Sequence, residues 1–152
     1  MTMAITKDSG RQYPVTARLV VGFADGKNVF DDGTITEAID VPAGAIVIGG
    51  YVRVNEVFNS TTSDALLVGD GVDPNRYIAT CNLQALGHYH FIMGDVLTAN
   101  TTSATVGPGY KYAASDTIDI TWTAGTANTA TTGEFEIVVT YLVDGKAHEN
   151  QG

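Results

Sequence analysis

The stretch Val41 to Phe58, V-P-A-G-A-I-V-I-G-G-Y-V-R-V-N-E-V-F, restricts the fold of this chain more than any other. Val41-Pro42-Ala43-Gly44 reads as a turn, and β-branched residues then dominate as far as Val57, which suits an extended backbone. From Ile46 onward, Ile46, Ile48, Gly50, Val52 and Val54 share one parity, and Val47, Gly49, Tyr51, Arg53 and Asn55 share the other. Because successive side chains on a strand point to opposite faces, this predicts a strand with a dry face and a mixed one. The alternation weakens where Glu56 falls on the inward parity, so a bulge or bend is expected between Asn55 and Val57. Gly49-Gly50 marks a second bend, where another backbone can approach. The segment reads as a bent strand that turns a corner between two sheets.

Weaker versions of the same pattern flank it. Val15, Ala17, Leu19, Val21 and Phe23 alternate with Thr16, Arg18, Val20 and Gly22, predicting a half-buried strand that ends at Asp25-Gly26-Lys27. Asp31-Asp32-Gly33 is a second turn, and Thr34 to Val41 a short strand with Ile35 and Ile39 on one parity. Beyond the polar loop Asn59 to Asp64, the apolar run Ala65 to Val68 closes at Gly69-Asp70-Gly71, and Arg76 to Thr80 is another strand. Leu83 to Gly87 is the one candidate for a helical turn, and Asp95 to Gly109 reads as a loop or weak edge strand. Alternation returns at Tyr110 to Ala114. It is clearest from Asp116 to Trp122, where Ile118, Ile120 and Trp122 oppose Thr117, Asp119 and Thr121. Thr123 to Thr132 reads as a mobile hairpin tip. Glu134 to Val143 is a long strand with Phe135, Ile137, Val139, Tyr141 and Val143 on one face.

About eight strands and almost no helix predict an all-β chain folded as an antiparallel two-sheet sandwich, with a jelly roll as first choice. The strands Val15 to Phe23 and Phe135 to Val143 are long enough to pair or to face each other across the core. An immunoglobulin-type sandwich is the runner-up; a single Trp122 suits it, but the paired cysteines are missing. The expected organisation is a flexible arm over residues 1–14, one sandwich domain over residues 15–143 and a flexible tail over residues 144–152.

Composition narrows the function. A chain of 152 residues with 44% hydrophobic residues is one domain's worth of polypeptide. Its net charge of −9 and eight scattered basic residues argue against nucleic acid, whose phosphates require clustered Lys or Arg. The acidity serves equally as a solubility device. Cys81 is the only cysteine, so no intrachain disulfide can form. The first residues lack an apolar leader-like run and no apolar stretch of membrane-spanning length follows, so a soluble protein made in the cytoplasm, with no membrane partner, is expected.

No constellation of residues calls for catalysis. His88 and His90 stand at i and i+2 and share a face if extended, but a structural metal needs two further ligands. His148 lies in the tail and Cys81 has no cysteine partner, so no metal is expected. Asp70-Gly71-Val72-Asp73-Pro74-Asn75 departs from calcium-loop spacing and reads as Asx turns. No serine sits in a nucleophile elbow, and Glu134 and Glu136, on one face of one strand, read as ordinary solvation of an exposed sheet. Gly69 and Gly71 precede no helix, so a phosphate loop is unsupported. Catalytic residues, metal ligands and cofactors are all expected to be absent. Tyr51, Tyr77, Tyr89, Tyr110 and Tyr112 form the one alternative, a sugar-binding platform in a tail or adhesin-type module, with Tyr110 and Tyr112 sharing a parity.

The stretch V-P-A-G-A-I-V-I-G-G-Y-V-R-V-N-E-V-F, followed by L-L-V-G-D-G and Arg76-Tyr77-Ile78 and closed by T-G-E-F-E-I-V-V-T-Y, resembles small structural proteins of tailed-phage heads, in particular capsid decoration, or cement, proteins. The resemblance spans roughly residues 15–143 and rests on apolar strands and glycine turns. It implies a non-enzymatic β domain on the outer capsid surface of the virion, made in the host cytoplasm and seated at capsomer junctions. Its implied partners are the major capsid protein and copies of itself, as a homodimer or homotrimer. Residues 1–14 and the loops Asn59 to Asp64 and Thr123 to Thr132 are the expected contact segments.

Overall fold

The computed structural model describes residues 13–23, 33–91, 108–125 and 130–144. Eight strands run in the order β1 (Val15–Gly22), β2 (Ile35–Val41), β3 (Ala45–Glu56), β4 (Asp64–Gly69), β5 (Ile78–Asn82), β6 (Gly87–His90), β7 (Asp116–Ala124) and β8 (Glu134–Val143). They form two four-stranded antiparallel sheets, ordered β1-β8-β3-β6 and β2-β7-β4-β5. The chain pairs like one long folded ribbon: β1 with β8, β2 with β7, β3 with β6 and β4 with β5. Rolling that ribbon up adds the pairs β3 with β8 and β4 with β7. This is the jelly roll, and its strand order excludes the immunoglobulin arrangement. The strands at the two ends of the sandwich's sequence do pair, Val15 opposite Tyr141 and Gly22 opposite Glu134.

The core lies between the sheets, where Trp122, Phe135, Leu66, Ile118, Ile137, Val47 and Val52 are fully buried. Each large side chain removed from water contributes about 1.5–3 kcal/mol before the entropy of ordering is counted. Inward residues on β7 and β8 keep the simple alternation of their sequence. On β3 the expected bends exist as two register shifts, between Val47 and Gly49 and between Val54 and Glu56. The first shift corrects the predicted faces. An extra residue exchanges the parity, so Ala45 and Val47 point inward before it and Val52 and Val54 after it. Ile46 is thereby only half-buried and Ile48 is 43% exposed, although both were expected on the dry face. The same device on β2, between Glu37 and Ile39, turns Ile35 outward while Ile39 and Val41 are buried.

Three further expectations are corrected. β3 stays in one sheet along its whole length, and the crossing to the other sheet falls in residues 57–63. Leu83 to Gly87 forms no helical turn: the Leu83 amide donates to the Asp64 carbonyl (2.9 Å) and its own carbonyl accepts from Phe58 (3.0 Å), and β6 begins at Gly87. The alternation from Tyr110 to Ala114 yields only a short antiparallel bridge, Lys111 opposite Ile46, in which the Tyr112 amide donates to the Ala45 carbonyl (2.8 Å) and the Gly44 amide to the Tyr112 carbonyl (2.7 Å). The turn Asp25-Gly26-Lys27, Asp31-Asp32, most of Asp95 to Gly109 and the centre of Thr123 to Thr132 lie outside the described residues, as do residues 1–12 and 145–152.

The paired glycines on β3 are not equivalent. A Cβ on Gly50 would fall 2.5 Å from the Val138 carbonyl oxygen and 2.6 Å from the Phe91 ring, whereas one on Gly49 meets nothing within 4 Å. Gly50→Ala is therefore expected to cost about 1–3 kcal/mol in urea unfolding, and Gly49→Ala less than about 0.5 kcal/mol. Equal effects of the two would contradict the close packing of β8 and Phe91 on Gly50.

Candidate interaction surfaces

Both described ends of the chain leave the sandwich at the same end, where β1 begins and β8 stops. That end is held by a buried polar network on the loop after β4. The Asp70 carboxylate forms an ion pair with Arg76 and accepts from the amides of Val72 (3.1 Å) and Asp73 (2.8 Å) and from the Tyr112 hydroxyl (3.0 Å). Tyr112 and Tyr77 share a hydroxyl–hydroxyl bond of 2.8 Å, Tyr77 stacks on Phe91, and the Arg76 guanidinium lies 3.8 Å over the Tyr110 ring. The loop can close this tightly because residue 69 is glycine: a Cβ there would sit 2.1 Å from the Asp73 carbonyl oxygen. Burial alone would raise the Asp70 carboxyl, but the hydrogen bond and charge of Arg76 and the two amides outweigh it and hold it below the usual range. Burial, with the neighbouring tyrosine and carboxylate, pushes the Tyr112 hydroxyl far up.

These contacts bear out the Asx-turn reading of Asp70 to Asn75, for Asp70 receives the amides two and three residues on. They also dismantle the tyrosine platform. Tyr77 and Tyr112 are 1% and 3% exposed with their hydroxyls engaged inside the protein, while Tyr51 and Tyr89 belong to the other sheet. The parity that Tyr110 and Tyr112 share in sequence places them edge to face in one cluster, not side by side on a surface.

At the opposite end two of the expected contact segments come together. The Asn59 side chain accepts from the amides of Thr131 (2.7 Å) and Thr132 (3.1 Å) and donates to the Thr131 hydroxyl (3.0 Å), and Gly125 donates to the Ser63 carbonyl. The loop's inner half is anchored by Asp64, which is 1% exposed and accepts from the Ser60 amide and hydroxyl, Gln84 and the Trp122 indole. Beneath lies an aromatic cluster of Phe23, Phe58, Trp122 and Phe135. Asn59, Thr61, Thr62, Ser63, Thr131 and Thr132 thus form one polar, exposed rim on a fixed base. The root of the first expected contact segment, residues 1–14, lies at the other end of the sandwich, beside Val15.

The two sheet faces differ in charge. On the outer face of β1-β8-β3-β6, Glu136 is only 2% exposed, because Arg18 from β1 (2.6 Å) and Arg53 from β3 (3.0 Å) close over it. This corrects the expectation of ordinary solvation for Glu136; Glu134, bonded to Asn55, and the exposed Glu56 opposite it lie at the rim. His88 and His90 stand exposed on β6 with the Tyr51 ring against both, at centroid distances of 5.9 and 6.1 Å. The outer face of β2-β7-β4-β5 carries Glu37, Asp40 and Asp119, with Asp116 at its end, beside an open groove of about 690 Å³. Burial beneath the Gly71 loop raises the Asp119 carboxyl; the Thr117 hydroxyl opposes this, and the charges of Asp116, Glu37 and Asp70 add to it. Among the described residues no group of three or more His, Cys, Asp or Glu could hold a metal ion. The Cys81 thiol is buried and pushed up to about 12 by that burial, so it is no nucleophile.

Sequence reasoning found the two loops and the histidine pair but missed the Arg18–Glu136–Arg53 triad and the Asp70–Arg76 pair. Only the alternation of Arg18, Arg53 and Glu136 with apolar neighbours hinted that they share an outer face. Their contact depends on the order β1-β8-β3, which no local pattern contains.

Two of the buried carboxylates, Asp70 and Asp119, respond to pH in opposite senses. Asp70 has a folded pKa below its unfolded value, so its contribution is complete above about pH 4 and is lost as pH falls through the folded value. Asp70→Asn is expected to cost about 3–5 kcal/mol at pH 7, leaving Arg76 buried without its partner. Asp119 has a folded pKa above its unfolded value, so its ionisation opposes folding at neutral pH and not in acid. Asp119→Asn should raise the melting temperature at pH 7 and leave it unchanged at pH 3, as measured by calorimetry.

No protein-family model matches the chain, and no curated protein matches it in sequence. Three solved phage structures contain a chain of the same fold. One is in the cyanophage Pam1 capsid asymmetric unit, with a TM-score of 0.63, 18% identity and coverage of 94% of this chain and 93% of that one. Another, in the capsid of Ralstonia phage GP4, has a TM-score of 0.61 at 19% identity and covers 95% and 92%. The third, in the acidic stable capsid structure of Helicobacter pylori bacteriophage KHP30, has a TM-score of 0.58 at 14% identity and covers 86% and 87%. At these identities the likeness is one of fold: this chain shares its jelly roll, over nearly the full length of each partner, with chains of three phage capsids.

Proposed function

We propose that this chain is a non-enzymatic structural protein of a phage head, a decoration protein that binds the outer capsid surface at junctions between capsomers and stabilises the shell. The observation that carries the reading is the mutual coverage of the capsid chains it resembles. Each is matched over 87–93% of its own length, so each is a chain about as long as this one and consists of little beyond the jelly roll. The charge supports an outward position. A surface lining a DNA-filled interior gains from exposed Lys and Arg, and this chain carries eight against seventeen acidic residues.

A clamp needs a rigid body and contact segments that reach more than one neighbour. The sandwich supplies the first. The rim of Asn59 to Asp64 with Thr131 and Thr132 supplies a preformed contact at one end, and the arm of residues 1–14, rooted at the other, supplies one ordered on binding at an entropic cost. Contacts at both ends of one domain suit a protein that bridges two capsomers. Copies of itself, as a dimer or trimer on a capsid axis, complete the set of partners. Synthesis in the host cytoplasm and the absence of nucleic-acid and membrane partners belong to the same reading. Among the described residues no helix is long and apolar enough to cross a membrane.

Purified protein added to decoration-free heads is expected to bind saturably and to raise the temperature at which the heads lose their DNA by several degrees. A protein that sediments as a monomer, leaves such heads bare and does not change their melting would remove the reading.

A further inference from the structure

We infer that β1 is an open sheet edge that pairs antiparallel with β1 of a second copy, so that the β1-β8-β3-β6 sheet runs on across a two-fold axis. The inference rests on the reading above for copies of this chain as partners, and it names their contact. The Phe23 amide donates to the Gly133 carbonyl (3.1 Å), and the ladder between β1 and β8 runs from Val15 to Gly22 without a register shift. Because alternate residues of an antiparallel strand bond to a given neighbour, Val15, Ala17, Leu19 and Val21 bond to β8. The backbone groups of Thr16, Arg18, Val20 and Gly22 therefore point away from β8, and none of them is bonded to another described residue.

The other edges of the two sheets are guarded, and this one is not. β6 is four residues long, and the ladders that hold β2 and β5 each break register, between Glu37 and Ile39 and between Leu66 and Val68. Short or bulged strands make poor templates, whereas an unbroken edge of eight residues is a ready one. β1 carries a single charge, Arg18, and no proline. The apolar row on its inner side is also unfinished. Val15 is 42% exposed and Ala17 and Leu19 are only partly buried, whereas Val139 and Ile137 beside them on β8 are fully buried. A strand added to β1 covers that row.

A second β1 fits this edge by its own symmetry. Inner faces match only if paired residues have the same parity, since a slip of one residue turns the apolar row outward. Setting Arg18 opposite its own equivalent would oppose like charges across the junction. The next register places Leu19 on the axis against its equivalent, Arg18 opposite Val20 and Thr16 opposite Gly22, and the last two pairs join the backbone groups that β8 leaves unused. Each further shift shortens the ladder. Leu19 then meets Leu19 of the second copy inside the apolar row. The junction also keeps carboxylates apart: Asp40 and Tyr141 line one groove and Tyr141 is opposite Val15, so Asp40 lies level with the start of β1. The two-fold axis carries the second copy's Asp40 to the other end of the junction, and such an isologous contact closes as a dimer.

One strand edge is a small contact, so the full chain is expected to dimerise with a dissociation constant of about 1–100 μM in sedimentation equilibrium. Val20→Pro removes an amide that points away from β8, a change that edge strands tolerate, and its melting curve verifies folding. It should weaken the dimer at least about tenfold. Leu19→Cys should form a disulfide between copies under mild oxidation, because directly opposite residues of an antiparallel pair lie within disulfide reach. Ala17→Cys, whose equivalent lies farther along the ladder, should not, and the natural chain is the control for the buried Cys81. A natural chain that stays monomeric throughout that range, a folded Val20→Pro that pairs as tightly, or a disulfide from Ala17→Cys and not from Leu19→Cys overturns the inference. If decoration-free heads bind the natural chain as a monomer and fail to bind Val20→Pro, the edge takes a strand of the shell protein: the inference falls and the decoration reading stands. A dimer linked through Leu19→Cys that leaves such heads bare removes the decoration reading and keeps the contact.

Discussion

The antiparallel ladder between β3 and β8 is the constraint on which the rest of the sandwich depends. It joins the middle of the chain to its last strand from Ala45 opposite Val143 to Glu56 opposite Glu134. β1 pairs on its one side and β6 on its other, so a whole sheet takes its register from it. β3 is longer than the flat ladder its inward side chains would tolerate, and the two shifts within it reconcile length with burial. Each spends one residue to turn the following apolar side chains back toward the core. Gly50 lies just after the first shift, where β8 and Phe91 come too close for any side chain. Ile48 is expelled to solvent by the same bulge that brings Val52 inward, which shows that the ladder outranks the local hydrophobic preference.

Where apolar packing thins at the ends of the sandwich, polar groups take over in two different ways. At one end Asp70 and Arg76 form a buried ion pair, and two tyrosines complete the satisfaction of the carboxylate. Such a pair adds little net stability over an apolar filling, but it costs several kcal/mol to break on one side, so it fixes the conformation of the loop. At the other end Asp64 has no cation and relies on a serine, a glutamine and an indole. Among the described residues no buried side-chain nitrogen or oxygen is left without a partner. That completeness keeps both ends rigid where loops alone would be loose.

Much of this was legible in the sequence, and the boundary follows from the range of each interaction. Strands appeared wherever alternation was unbroken: Ile118, Ile120 and Trp122 on β7 and Phe135, Ile137 and Val139 on β8 are all buried as their parity predicts. The bends on β3 were signalled by Gly49-Gly50 and by Glu56 at an inward position. The side on which Ile46 and Ile48 fall was not, because one bulge inverts every parity read from its far side. Asp119 and Glu136 read as solvent-facing and are buried, each by residues from other strands or loops. Tyr112 lies 42 residues from the aspartate it binds, and Arg18 lies 118 from Glu136. Contacts at such separations exist only once the ribbon has rolled up, and no local pattern encodes them.

The same long-range closure separates the surfaces by the way they would engage a neighbour. The rim at Asn59 and Thr131 is already ordered by three hydrogen bonds between its loops, so a partner meeting it has little conformational entropy to remove. The face bearing Arg18 and Arg53 is likewise preformed, since a buried glutamate holds both guanidinium groups and a sheet holds the glutamate. A contact segment that must be ordered on binding would instead lose about 1–2 kcal/mol per residue before any contact is made. In a clamp, rigid faces would set position and selectivity, whereas an arm adds reach at a lower return per residue. A jelly roll is suited to this division, because its ribbon pairing brings first and last strands together and leaves the start of β1 and the end of β8 at one end of the sandwich, away from the rim of loops at the other.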